Sequence, residues 1–139
     1  MDWSLIDQKL ESLHRSILRV KEKCPRNADA LVSDYDAQDI LSLNLTRAVQ
    51  LCVDIGTHLV AGSEFPPPCT MGKTFDILCE AGIISADLAY RMKKAVGFRN
   101  LAVHNYEAIN WAIVFSIATA HLKDFEEYAK AVARLSDTE

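Results

Sequence analysis

Four prolines and five glycines are the only strong helix breakers in a chain of 139 residues, and three of those prolines stand in one run, Pro66, Pro67 and Pro68. Long stretches on either side of the run can therefore keep a single period, and the period they keep is three to four residues. Trp3, Ile6, Leu10, Leu13, Ile17 and Val20 recur at those steps with Lys9, Glu11, Arg15 and Lys21 between them. This is the pattern of an amphipathic helix with one buried stripe. It stops near Cys24-Pro25, because proline disfavours helical dihedrals in the residue before it. No run of alternating residues bounded by turns occurs, so no strand is predicted.

Asp34 or Asp36 can cap a second helix, whose stripe Leu41, Leu45, Ala48, Cys52, Ile55 and Leu59 repeats the same steps up to Ala61-Gly62. Gly62 to Gly72 reads as a loop stiffened by its prolines. A short helix from Lys73 to Ala81 ends at Gly82, and Ser85 caps a further helix beginning at Ala86 and Asp87. The last helix, from about Ala108 to Leu135, carries Trp111, Phe115, Ala118, Leu122, Phe125, Ala129 and Val132 at heptad-like steps. Its first half is apolar nearly all round, which implies burial on two sides. The expectation is an all-α chain of four long helices and one short one, and its length fits one domain over 1-139.

Half the residues are hydrophobic and about a quarter charged, which excludes intrinsic disorder. Nineteen acidic against fifteen basic residues give a net charge of -4, so any nucleic-acid contact must be local. The start, MDWSLIDQ, lacks the basic and apolar regions of a leader, and Ile109 to Ala120 is too short and too polar to span a bilayer. The chain therefore reads as cytoplasmic, with no membrane partner. Cys24, Cys52, Cys69 and Cys79 form no C-x-x-C pair, and His14, His58, His104 and His121 show no ligand spacing, so neither a metal nor a disulfide framework is expected. Met71-Gly72-Lys73-Thr74 resembles the tail of a phosphate-binding loop. That loop needs a glycine at position 67, where this chain has proline.

The chemistry concentrates in the helix that Ser85 opens. Leu88, Met92, Ala95, Arg99, Ala102 and Tyr106 share one stripe, with an arginine in the middle of a core-facing surface. A buried guanidinium must be paired or hydrated, so either the stripe lines a cleft or Arg99 meets an acid elsewhere. Arg91, Lys93, Lys94 and Arg99 supply four positive charges with no acid between Asp87 and Glu107. Such a run is a solvated face or a seat for a phosphate backbone. His104 lies five residues beyond Arg99, about 140° around an ideal helix, so the two converge only if the helix ends there or a second chain contributes. Asn105 is a candidate C-cap. It would leave His104 in the last turn, where the helix dipole favours the imidazolium and proton transfer near neutral pH is feasible. On a continuous helix Tyr106 would fall within about 20° of Arg99 and border the same cleft.

The string Arg99-Asn-Leu-Ala-Val-His104-Asn-Tyr106 resembles the R-x4-H-x-Y signature of HEPN-domain toxins, the partners of minimal nucleotidyltransferase (MNT) antitoxins. The resemblance extends through Thr46-Arg47-Ala48-Val49-Gln50, Asp54 to Leu59, the proline loop, Phe75-Asp76-Ile77-Leu78, Gly82-Ile83-Ile84 and Val96 to Asn100. Together these cover roughly Asp39 to Lys130. It implies a HEPN-type antiparallel helical bundle, homodimerisation that brings two R-x4-H motifs into one cleft, and a metal-independent endoribonuclease with no cofactor. Carried onto this chain, Arg99 and His104 become the catalytic pair with Asn100 in support, Arg91, Lys93 and Lys94 contact RNA, and Tyr106 is the residue to which a cognate nucleotidyltransferase antitoxin attaches AMP. The function implied is the toxin of a type VII-like toxin-antitoxin pair. The alternative is a noncatalytic HEPN subunit that binds nucleotide or serves as a scaffold beside a nucleotidyltransferase.

Overall fold

A computed structural model describes residues 1–138, and Glu139, the last position of the expected domain, lies outside the described residues. Helix α1 spans Trp3–Lys23, α2 Ala28–Ser33, α3 Tyr35–Ala61, α4 Met71–Glu80, α5 Ala86–His104, α6 Trp111–Ser116 and α7 Leu122–Asp137, with no strand among the described residues. Helix starts follow their caps. Asp34 accepts from the Ala37 amide at 3.0 Å and Ser85 from the Leu88 amide at 3.0 Å. Thr70 accepts from the Lys73 amide at 3.1 Å, which starts α4 at Met71 rather than at Lys73. Gly82 ends it with a φ of 77°, while the Ile83 amide bonds the Leu78 carbonyl at 2.9 Å, the pairing of a Schellman turn.

Two features depart from the periodic reading. Helix α2 is too short to show a period, yet Asn27 caps it and Leu31 is fully buried. Gln38 ties it to α3 by donating to the carbonyls of Leu31 and Val32, at 3.0 Å each, which satisfies C-terminal acceptors that α2 leaves open. The expected last helix is also broken. Tyr106–Ala108 forms a single 3-10 turn, Asn110 caps α6 by accepting from Ala112 at 3.0 Å, and a π-helical segment, Ile117–His121, joins α6 to α7. Val114 is fully buried while Trp111 and Phe115 are only partly covered, and from Ala118 through Leu122, Phe125 and Val132 the expected stripe is buried.

Antiparallel α1 and α3 form the base of the bundle, with Lys9 and Asp54 3.8 Å apart near one end. Helix α4 packs on α3 and α5, α7 on α1, α3 and α5, and α2 on α6. Side chains from all seven helices share one core. At its centre Tyr128 donates to the Cys52 carbonyl at 2.8 Å and meets Phe75 edge-on at 5.7 Å. Gly56 makes this approach possible, since a Cβ there would lie 2.6 Å from Thr74 Cγ2 and 3.0 Å from the Tyr128 hydroxyl. Gly56→Ala should therefore destabilise the protein by about 1–3 kcal/mol through overpacking, although alanine is the better helix former. Urea unfolding monitored by circular dichroism will read this as a lower midpoint.

Candidate active site

One ionic cluster ties α5 to α7. Arg91 Nε donates to Asp87 Oδ2 at 3.1 Å, its Nη1 pairs with Asp124, and its Nη2 reaches Glu127 at 3.3 Å. Desolvation pulls the Arg91 pKa down, but the hydrogen bonds and charges of Asp124, Asp87 and Glu127 outweigh it, so the guanidinium stays charged. Held this way against α7, α5 turns Leu88, Met92 and Val96 into the core.

The basic run seen in the sequence thus divides. Arg91 is committed to three carboxylates, and Lys93 donates to Asp76 Oδ1 of α4 at 3.1 Å. Lys94 stands 4.8 Å from the centre of the Tyr90 ring, a cation-π contact. Asp76, Asp124 and Glu127 arrive from α4 and α7, and for that reason the run looks uncompensated when read along the chain.

Arg99 differs from all three. Its Nη1 donates to Asn100 Oδ1 at 3.1 Å, its Nε is buried with no acceptor, and no carboxylate among the described residues pairs with it. A half-buried cation lacking a counter-charge is able to receive an anion. His104 is the last residue of α5 and is exposed, and the Asn105 amide bonds the Leu101 carbonyl at 2.8 Å to close the helix. The helix runs unbroken through both residues, so Arg99 and His104 leave it about 140° apart. One chain does not turn them onto a common face.

Tyr106 lies outside the helix, which corrects the expectation that it continues the Arg99 stripe. Asn105, at φ -151° and ψ 63°, turns the chain into the 3-10 segment. There the Tyr106 hydroxyl donates to Asp39 Oδ1 of α3 at 2.7 Å, and its ring meets Trp111 edge-on at 5.7 Å. Burial and then Asp39 push its pKa up to about 12, so the phenol holds its proton. Asp39 was not singled out from the sequence: 67 residues separate it from Tyr106, and nothing in its local pattern marks it.

On the outer side of α5 a groove of about 500 Å³ runs between α5 and the α6–α7 rod, lined by Tyr90, Lys94, Phe98, Leu101, Ile113 and Ile117 among others. Ile113 is 57% exposed at its rim, so the apolar first half of the last helix is covered on one side only. No cluster of three or more His, Cys, Asp or Glu able to hold a metal occurs among the described residues, and none of their helices is long and apolar enough to cross a membrane.

Residues 13–132 match the family model for Ribonuclease HepT-like proteins. The chain belongs to this HepT-like ribonuclease family. Among its relatives, the mRNA nuclease HepT of Shewanella oneidensis is 30% identical over 128 residues, covering 92% of this chain and 96% of that protein. The tRNA nuclease HepT of Aphanizomenon flos-aquae is 24% identical over 128 residues, covering 92% of this chain and 87% of that one. The fold superposes on the tri-AMPylated Shewanella oneidensis HEPN toxin in complex with its MNT antitoxin with a TM-score of 0.87 and 30% identity, covering 93% and 96% of the two chains. A toxin-antitoxin complex with AMP-PNP gives 0.89 and 29%, covering 94% and 98%. The all-helical HEPN architecture expected from the motif is therefore the fold of this chain.

The two kinds of cation in α5 separate by experiment. Arg91→Ala should lower stability by about 1–3 kcal/mol, because it strands the carboxylate of Asp124. Lys94→Ala should leave the unfolding midpoint unchanged. Thermal melting of both variants checks the contrast.

Proposed function

We propose that this HepT-like ribonuclease is the toxin of a toxin-antitoxin pair, a single HEPN domain over 1-139 that cuts RNA at a site completed by homodimerisation and is silenced by AMP on Tyr106. The nuclease class follows from family membership. The observation that carries the site is Arg99, whose buried Nε has no acceptor and whose charge has no carboxylate partner. In this reading a substrate 2'-hydroxyl attacks the adjacent phosphorus, His104 moves the proton, and Arg99 stabilises charge on the phosphoryl oxygens. Asn100 holds the guanidinium through its 3.1 Å hydrogen bond. Lys94 offers a local contact to the RNA backbone, whereas Arg91 and Lys93 act mainly as braces to α7 and α4.

A second copy resolves the divergence of Arg99 and His104, because a two-fold axis beside α5 brings two helix ends together. The groove along α5 supports that assembly: it is apolar, continuous with the motif helix, and edged by Ile113. The partner proposed for regulation is a cognate MNT-type nucleotidyltransferase, as in the Shewanella complex. AMP on Tyr106 would place a phosphodiester anion one residue past the turn from His104 and weaken the local positive field that RNA requires.

Purified unmodified protein should cleave RNA in EDTA and leave 2',3'-cyclic phosphate ends, and His104→Ala and Arg99→Ala should each abolish cleavage with folding retained. Wild-type rates from His104→Ala would overturn the mechanism. Ile113→Glu should yield a folded monomer by sedimentation with nuclease activity lost. A fully active monomer would remove the composite site.

A further inference from the structure

Tyr106 and Asp39 belong to separate parts of the bundle, and the bond between them is a polar link between the 3-10 turn and α3. Its length is 2.7 Å. Asp39 has no cationic partner among the described residues, and both side chains reach solvent, so the contact is not one that a buried polar group demands. Trp111 fixes the ring from one side at 5.7 Å while Asp39 fixes the hydroxyl, which leaves the phenol oxygen aimed and reachable. The other groups acting on that hydroxyl are Ser42 from α3, which offers it a hydrogen bond, and Glu107 from its own turn.

We propose that the Asp39 carboxylate is the proton acceptor that activates Tyr106 for nucleotidyl transfer from a nucleoside triphosphate. The inference rests on the reading of Tyr106 as the modified residue. The phenol is held protonated, with its pKa raised to about 12 by burial and by Asp39, so a standing phenolate cannot be the nucleophile near neutral pH. Its proton must leave as the new bond forms, and the atom already accepting a hydrogen bond from it is Asp39 Oδ1. In the step, Tyr106 Oη attacks the α-phosphorus, forming the Oη–P bond. The bond from that phosphorus to the bridging oxygen of the β-phosphate breaks, pyrophosphate leaves with the electron pair, and the proton passes to Asp39 and then to water.

The product cannot keep the contact. An aryl phosphodiester has no proton to donate, and its charge faces the Asp39 carboxylate, so the turn is released from α3 when Tyr106 is modified. The same carboxylate that promotes transfer then repels the result.

The test uses full-length protein, the cognate nucleotidyltransferase, ATP and magnesium, with intact mass spectrometry and peptide mapping over time at a series of pH values. Wild type should gain AMP on Tyr106 and Tyr106→Phe should gain none. Asp39→Asn keeps the shape of the side chain but accepts no proton. It should slow addition by about 10²-fold or more and remove the fall in rate on the acid side of the profile, with Asp39→Glu recovering part of the rate. Melting curves equal to wild type exclude misfolding as the cause. Asp39→Asn modified at the wild-type rate, or slowed with an unchanged pH profile, overturns the proposal. AMP mapped to Tyr90 or Tyr128 of the wild type removes the assignment of Tyr106 itself and is distinguishable from either.

Discussion

The arrangement of α5 depends on Arg91. A single guanidinium shared among Asp87, Asp124 and Glu127 fixes both the depth of α5 against α7 and its rotation about its own axis. Asp124 is nearly buried, and a carboxylate in that position has to keep a cation or lose its charge. From that constraint the rest of α5 follows by helical phase. Leu88, Met92 and Val96 enter the core, Lys94 and Phe98 face the outer groove, and Arg99 points inward at the end of the stripe, two turns beyond Arg91. Were α5 rotated by one residue, about 100°, Arg99 would lose its half-buried position and its distinction from an ordinary surface arginine.

The cations of this helix show how charge can be used twice in one element. Arg91 and Lys93 are matched by acids on neighbouring helices and hold the bundle together. Arg99 is unmatched and half-buried, which leaves its field available to a ligand. An acidic protein of net charge -4 can meet a polyanion in this way, since the unmatched positive charge is confined to one helix end.

Most of the frame was legible because capping and periodicity are local. Asp34, Ser85, Gly82 and Asn105 stand where hydrogen-bond satisfaction at helix ends requires them, and the stripes of α1 and α3 match the buried residues. What was not legible depends on contacts between distant residues. Apart from Asp87, the acids that pair with Arg91 and Lys93 lie 17 to 36 residues away along the chain, beyond the reach of a reading of neighbouring charges. Helix α2 rests on a cap and on Gln38 rather than on a repeat. The π segment at Ile117–His121 has no composition signal, so periodicity alone did not show it. The placement of Tyr106 on the Arg99 stripe relied on a helical phase that ends at His104, two residues before it.

That early ending has a mechanical consequence. Had α5 continued, Tyr106 would have pointed with Arg99 toward the bundle and been shielded by it. Breaking the helix at Asn105 instead places His104 on the last turn, its ring in solvent, and sends Tyr106 across to α3, where Asp39 and Trp111 hold it at the surface. The three polar residues of the motif therefore occupy three environments: a half-buried cation, an exposed imidazole and an anchored phenol. A single helical stripe would have given all three the same one. A short motif can thus present one partly shielded cation and, across a break in the helix, one hydroxyl at the surface, which a continuous stripe could not do.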